Sequence, residues 1–203
     1  MSPVFGFSPR VVQAMVRADR SRFLPEDVAS SAYVDAPLPI GLNQTNSQPT
    51  TVAIMLDLLD VQEGDRVLDV GAGSGWTTAI LSDLVGASGR VIGVERHAPL
   101  ADSAREALRN YLEDLGGPGD ATPNATIHTA KPGVLGWPSQ APYQRILVSA
   151  MADRVPQQLF DQLAEGGVMV IPVNSVMLKV VKKDGRAVVT RHGLFRFVPL
   201  VED

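Results

Sequence analysis

Apolar positions along this chain follow two rhythms. Short, nearly continuous apolar runs are Arg66-Val67-Leu68-Asp69-Val70, Val91-Ile92-Gly93-Val94, Ile146-Leu147-Val148 and Val168 to Val173, with a weaker one at Thr126 to Thr129. Their length and β-branched content predict strands buried on both faces. Between them apolar residues recur at helical spacing: Val52, Ile54, Met55, Leu58 and Leu59, then Ile80, Leu81, Leu84 and Val85, then Leu100, Ala104, Ala107, Leu108 and Tyr111. Val155 to Leu163 also reads as helix, and Glu63-Gly64-Asp65 stops the helix before it. Beyond residue 173, Met177 to Lys183 and Arg186 to Val189 flank Asp184-Gly185, the signal of a hairpin, and Phe195 to Val198 predicts one more strand. At the other end, Ser8-Pro9 ahead of Val11, Val12, Met15 and Val16 predicts a capped helix with those four on its apolar face. The stretch from about Pro25 to Pro49 is dense in proline and small residues, and its Ala36-Pro37-Leu38-Pro39-Ile40-Gly41 cannot be regular helix. A long irregular stretch inside a compact chain is more often functional than idle. Gly116 to Asp120 reads as a loop.

Strands alternating with helices and ending in antiparallel strands predict an α/β fold. It is a doubly wound, Rossmann-like sheet with an antiparallel C-terminal end and an N-terminal helical extension. One domain over residues 1–203 is expected, with an extension at 1–48, a ligand-binding α/β core at 49–173 and antiparallel strands at 174–203.

Composition narrows the chemistry. With 45% hydrophobic and 20% charged residues, a sizeable core is available. The net charge of −4 argues against general nucleic-acid affinity. The absence of cysteine excludes disulfides, thiolate nucleophiles and Cys-ligated metals. No run approaches a membrane span, and Met1 to Phe7 lacks the basic and apolar regions of a secretory signal, so a cytoplasmic location is expected. His97, His128 and His192 have no ligand spacing, so no metal is expected, and His97, after Glu95-Arg96 at a strand end, either borders a ligand held there or, the reading favoured here, is an exposed loop residue. Lys179, Lys182, Lys183, Arg186, Arg191 and Arg196 make the C-terminal hairpin a basic, solvated edge.

The candidate site is Asp69-Val70-Gly71-Ala72-Gly73-Ser74-Gly75-Trp76, between a strand and a helix. Glycine there permits positive φ and close ligand approach, and the helix N-terminus favours anionic or accepting groups. A dinucleotide fingerprint needs a small residue where Trp76 stands. The pattern D-x-G-x-G-x-G looks instead like an S-adenosylmethionine (AdoMet) loop. Glu95, ending the second strand, suits the ribose of either cofactor.

The motifs reach beyond that loop. Ala32-Tyr33-Val34-Asp35, Leu38-Pro39-Ile40-Gly41, Gln44-Thr45, Ser47-Gln48-Pro49, Gly133, Gly136-Trp137, Ala141-Pro142-Tyr143, Gln162-Leu163 with Glu165-Gly166-Gly167, Ile171-Pro172-Val173 and Phe197-Val198-Pro199-Leu200 occur in order. Together with the glycine-rich loop they resemble the protein-L-isoaspartate O-methyltransferase family over about residues 8 to 201. The resemblance implies methyl transfer from AdoMet to the free α-carboxylate of L-isoaspartyl residues, in a protein-repair enzyme expected to be a monomer. It implies that Asp69, Gly71, Ala72, Gly73, Ser74, Gly75, Glu95, Arg96 and Gly133 hold the cofactor. Ser47 would position the acceptor carboxylate, and Tyr33, Asp35, Leu38, Ile40 and Thr45 would form or flank the peptide pocket. A serine just before Pro49 is also a candidate helix N-cap.

The chain departs from the family pattern at four places. Asn43 stands where the family has glycine, which makes a positive φ costlier. Asn46 replaces an apolar residue beside Ser47. Lys131-Pro132-Gly133 replaces Gly-Asp-Gly, losing the acid that meets the adenine amino group, a loss worth about 1.5–3 kcal/mol, or roughly 10- to 150-fold in cofactor affinity. Gln144 replaces an aspartate.

Overall fold

The computed structural model describes residues 6–115 and 124–202; the loop expected at Gly116 to Asp120 lies outside them. The chain begins with α1 (Pro9–Arg17), a 3-10 turn (Arg20–Phe23) and the short α2 (Glu26–Ala29). The Pro-rich stretch then forms a small antiparallel hairpin of β1 (Leu38–Gly41) and β2 (Gln44–Asn46), followed by α3 (Pro49–Leu59). The remaining elements are β3 (Arg66–Val70), α4 (Trp76–Val85), β4 (Arg90–Glu95), α5 (Ala98–Leu115), β5 (Ala125–Thr129), a second 3-10 turn (Pro138–Gln140), β6 (Tyr143–Val148), α6 (Gln157–Gln162), β7 (Leu163–Val173), β8 (Val176–Lys183) and β9 (Arg186–Leu194).

Seven strands form one sheet in the order β5-β4-β3-β6-β7-β8-β9. β3 sits between parallel neighbours, with Val70 opposite Val94 on one side and Val148 on the other. Its Val67 and Leu68 are completely buried, as a strand covered on both faces requires. One core layer joins the sheet to α1, α3, α4 and α5; the other lies beneath α6 and the Leu135–Trp137 segment. The chain leaves β3 on one side to reach β4 and returns on the other as β6. The strand order therefore reverses between β3 and β6, and the crevice there, at the carboxyl ends of β3, β4 and β6, is where sheets of this kind bind ligands.

Two local expectations need correction. In α1 the buried residues are Val11 and Ala14, continued by Ala18, while Val12 is 44% and Val16 74% exposed. The helix meets its neighbours along the i, i+3, i+7 line, so two of its three valines face outward. Ser8 occupies the N-cap position without a side-chain capping bond; its N–H donates to Asp57 instead. The second correction concerns Phe195 to Val198, which is no strand. Phe195 and Phe197 pack on the core, and Pro199, which has no N–H to extend a ladder, makes only an isolated bridge to Met151. The expected hairpin is present: Asp184 and Gly185, with φ of 51° and 69°, make the two-residue turn between β8 and β9. Among the described residues no helix is long and apolar enough to cross a membrane.

Candidate active site

The crevice is a cavity of about 270 Å³. Gly71, Gly73, Glu95, Arg96 and His97 form one side, and Ile40, Gln44 and Thr45 of the β1–β2 hairpin form another. Lys131, Val134, Leu135 and Gly136 face them, and Val198 to Glu202 complete the wall. His97, expected on an exposed loop, is therefore half-buried at the cavity.

The glycine-rich loop is pinned at both ends. The N–H groups of Gly71 and Ala72 donate to the Val94 carbonyl, and that of Gly75 to the Ala72 carbonyl. Gly75 starts α4 at φ +87°, and a Cβ there would come within 3.1 Å of the Ala104 carbonyl oxygen. Gly73, at φ +55°, lies against Ile40 of the hairpin, whose Cδ1 is 3.3 Å from where a Cβ would stand. Glu95 is 5% exposed. Its Oε2 accepts the Gly73 N–H and its Oε1 the His97 N–H, each at 2.9 Å. Each carboxylate oxygen keeps acceptor capacity, so a pair of ribose hydroxyls can still be bound.

Asp69 does not line the cavity. It is fully buried under the loop, where its Oδ2 accepts the hydroxyls of Thr78 (2.7 Å) and Thr77 (2.8 Å) and so ties β3 to the first turn of α4. Burial pushes its carboxyl up to about 6, against those two hydrogen bonds. Its Oδ1 has no partner among the described residues. Ala72, Ser74 and Gly75 likewise shape the loop from behind the wall. Gly133, at φ +69°, is the third residue of a turn closed by the Val134 N–H on the Lys131 carbonyl. Pro132 second and Gly133 third is the residue order of a type II turn. The lost acid is thus replaced by a rigid corner. Beside it, Lys131 Nζ lies 5.0 Å over the Trp137 ring, and His128 stacks on that ring at 4.2 Å. Burial, then the nearby cations, holds His128 below its ordinary value.

The acceptor-side residues divide. Ile40 and Thr45 line the cavity, and Leu38 is half-buried, paired with Asn46 across the hairpin. Tyr33 is 80% exposed and donates its hydroxyl to Asp19 at 3.0 Å. Asp35 accepts the Thr50 N–H (2.9 Å), the Thr50 hydroxyl and the Gln48 amide, so it holds the start of α3. The Thr50 N–H, then the Gln48 amide, holds its carboxyl below the usual range. Ser47 therefore does not cap that helix. Its hydroxyl takes no partner among the described residues, and Ser47, expected to position the acceptor, is not itself a lining residue of the cavity: the wall on this side ends at Thr45, two positions earlier.

Three side chains that periodicity did not reveal hold these walls. Arg20, 4% exposed, donates Nε to Asn46 Oδ1, Nη1 to the Ala32 and Val34 carbonyls, and Nη2 to those of Ala36, Asn46 and Ser47. It also lies 5.4 Å over the Trp76 ring. Gln162 accepts the Trp137 N–H and donates to the Leu135 and Gln158 carbonyls, while Gln158 accepts the Leu135 N–H. Of the other departures, Asn43 has φ 58° beside Leu42 at 51°, a tight turn that costs the leucine more than the asparagine. Gln144 replaces an acid but still accepts the Arg66 N–H at 2.9 Å, through its amide oxygen.

Comparison with known proteins agrees with this geometry. The family model described as Protein-L-isoaspartate(D-aspartate) O-methyltransferase matches residues 4–203. Protein-L-isoaspartate O-methyltransferase of Methanopyrus kandleri is 46% identical over 199 residues, covering 96% of this chain and 84% of its own. That of Methanococcoides burtonii is 44% identical over 200 residues, covering 97% and 94%. A structure from Plasmodium falciparum, described as a protein-L-isoaspartate O-methyltransferase in complex with S-adenosyl-L-homocysteine, superposes with a TM-score of 0.81 at 27% identity, covering 97% of this chain and 92% of that one. The chain belongs to the protein-L-isoaspartate(D-aspartate) O-methyltransferase family.

Proposed function

We propose that this protein transfers a methyl group from AdoMet to the α-carboxylate of L-isoaspartyl residues in damaged proteins and peptides. The observation that carries the reading is the shared cavity: the glycine-rich loop with Glu95 and the hairpin leading to Ser47 face one another across it. Its residues fit the cofactor. Glu95 offers acceptor capacity to a ribose, the Gly71 to Gly73 backbone allows close approach, and Val134 and Leu135 supply an apolar wall. Bound there, AdoMet supplies a methyl carbon activated by its sulfonium and is left as S-adenosylhomocysteine.

A carboxylate is already a nucleophile at neutral pH, so the site needs alignment and exclusion of water more than a base. In this reading Ser47 donates its free hydroxyl to the acceptor carboxylate and sets the direction of attack. Ile40 and Thr45 narrow the approach, and Glu95 accepts the ribose hydroxyls. No proton has to be removed, because a carboxylate becomes a neutral methyl ester.

The test is titration with S-adenosylhomocysteine, followed by methyl transfer to an isoaspartyl peptide and its aspartyl twin. Binding with transfer to the isoaspartyl peptide alone supports the reading. Transfer to the aspartyl twin alone would replace it with a dedicated aspartyl acceptor. Binding with no transfer to either would leave a binding protein on this fold.

A further inference from the structure

One buried side chain fastens the acceptor-side hairpin to the cofactor loop. Asn46, 5% exposed, accepts Arg20 Nε on its Oδ1 at 2.7 Å and donates Nδ2 to Ser74 Oγ at 2.9 Å. Its orientation is dictated by chemistry: a guanidinium can only donate, so the amide oxygen must face Arg20 and the NH2 must face Ser74. Ser74 stands between Gly73, whose N–H meets Glu95, and Gly75, which begins α4. Asn46 precedes Ser47, whose carbonyl is held by the same guanidinium. The apolar residue that the family pattern places here could make neither bond.

We propose that Asn46 is a positioning residue that couples occupancy of the cofactor site to binding of the methyl acceptor. Ordering of Gly73 to Gly75 around a cofactor fixes the Ser74 hydroxyl. The hydroxyl orients the Asn46 amide, and the amide and Arg20 together set the backbone that carries Ser47. Linkage makes the effect reciprocal, so acceptor tightens cofactor by the same factor that cofactor tightens acceptor. The inference rests on the function proposed above.

The experiment measures the Kd of S-adenosylhomocysteine by calorimetry with and without saturating isoaspartyl peptide. In the unaltered protein the peptide should tighten binding by about fivefold or more. Asn46→Ile and Ser74→Ala should each bring that ratio to within about twofold of one, and the double variant should go no further, as for two residues acting through one bond. Asn46→Asp should retain the coupling, because a carboxylate still accepts from Arg20 and the Ser74 hydroxyl can turn to donate. A residue with a purely structural role would lower the melting temperature and leave the ratio alone. If Asn46→Ile does not fold, Ser74→Ala on the loop carries the test. Unchanged ratios in folded variants, or a ratio of one in the unaltered protein while both ligands bind, would overturn the coupling and leave the proposed function standing. Failure of the unaltered protein to bind the isoaspartyl peptide would overturn both.

Discussion

Replacing Arg20 with alanine tests whether the acceptor-side segment is held by one side chain. Arg20 serves six acceptors, and three of its contacts are buried: those to Asn46 Oδ1, the Ala32 carbonyl and the Asn46 carbonyl. Water can replace the guanidinium at the three part-buried carbonyls. At the buried ones an acceptor is stranded, at a cost of about 1 kcal/mol or more each. Loss of the stem and its stacking on Trp76 adds about 1 kcal/mol. Alanine does not incur the desolvation of a buried cation, which offsets part of this loss. The net expectation is about 3–4 kcal/mol. For a domain of this size each kcal/mol moves the melting temperature by about 2–4 °C, so the fall should be roughly 6–16 °C. Thermal unfolding followed by circular dichroism reads this directly. Isoaspartyl-peptide KM should rise more than the Kd of S-adenosylhomocysteine, because the freed segment carries Ser47 and not Glu95. Arg20→Lys should recover only part of the stability, since three donors on one point charge cannot span six separated acceptors. A fall below about 2 °C for Arg20→Ala would refute the reasoning.

Other expectations follow from the same geometry. Glu95→Gln should weaken S-adenosylhomocysteine binding about 10- to 150-fold in calorimetry, the size of a lost charge-assisted hydrogen bond, and should also lower the melting temperature by about 2–4 °C, because one amide oxygen cannot accept both the Gly73 and the His97 N–H; an unchanged Kd would remove Glu95 from the ribose site. Asp69 gives a pH signature. Its folded value of about 6 exceeds the ordinary 3.8, so between those limits the folded state binds more protons than the unfolded one and loses stability as pH rises. The unfolding free energy of the protein minus that of Asp69→Asn should therefore fall from about pH 4 to pH 6 and be flat above; a difference that rises over that window would contradict the burial argument. Tyr111→Phe should raise the melting temperature by about 2–4 °C, because the Tyr111 hydroxyl is buried with no partner among the described residues and its removal relieves about 1 kcal/mol.

Legibility in the sequence followed the kind of force involved. The central strands, the glycine-rich loop and the Asp184-Gly185 turn were readable because each is set by local chemistry: apolar runs, positive φ, a two-residue turn. The face of α1 was misread because Val11 and Val12 are equivalent to a periodicity count, and only the neighbouring helices decide which one is buried. Phe195 and Phe197 resembled strand residues because core-facing aromatics carry the same signature whether or not their backbone joins a ladder. The walls of the site were least legible. Arg20 and Gln162 act on carbonyls and amides far along the chain or within loops, and a backbone carbonyl leaves no trace in residue identity. Asn46 was visible as a departure from the family pattern, but its meaning needed the position of Ser74.

The cavity wall formed by Val198 to Glu202 is held to the rest of the site by the backbone of Met151, whose N–H donates to the Val198 carbonyl and whose carbonyl accepts the Leu200 N–H, both at 2.7 Å. During synthesis the glycine-rich loop, Glu95 and the Ser47 segment emerge more than a hundred residues before that wall. A nascent chain thus presents the loop, Glu95 and the hairpin as an open trough, which gains its last wall only when residues 198–202 have been laid down after β9. Ligand binding stabilises only what it can bind. A ligand that needs this wall therefore protects from unfolding and proteolysis only those molecules in which residues 198–202 have taken their place.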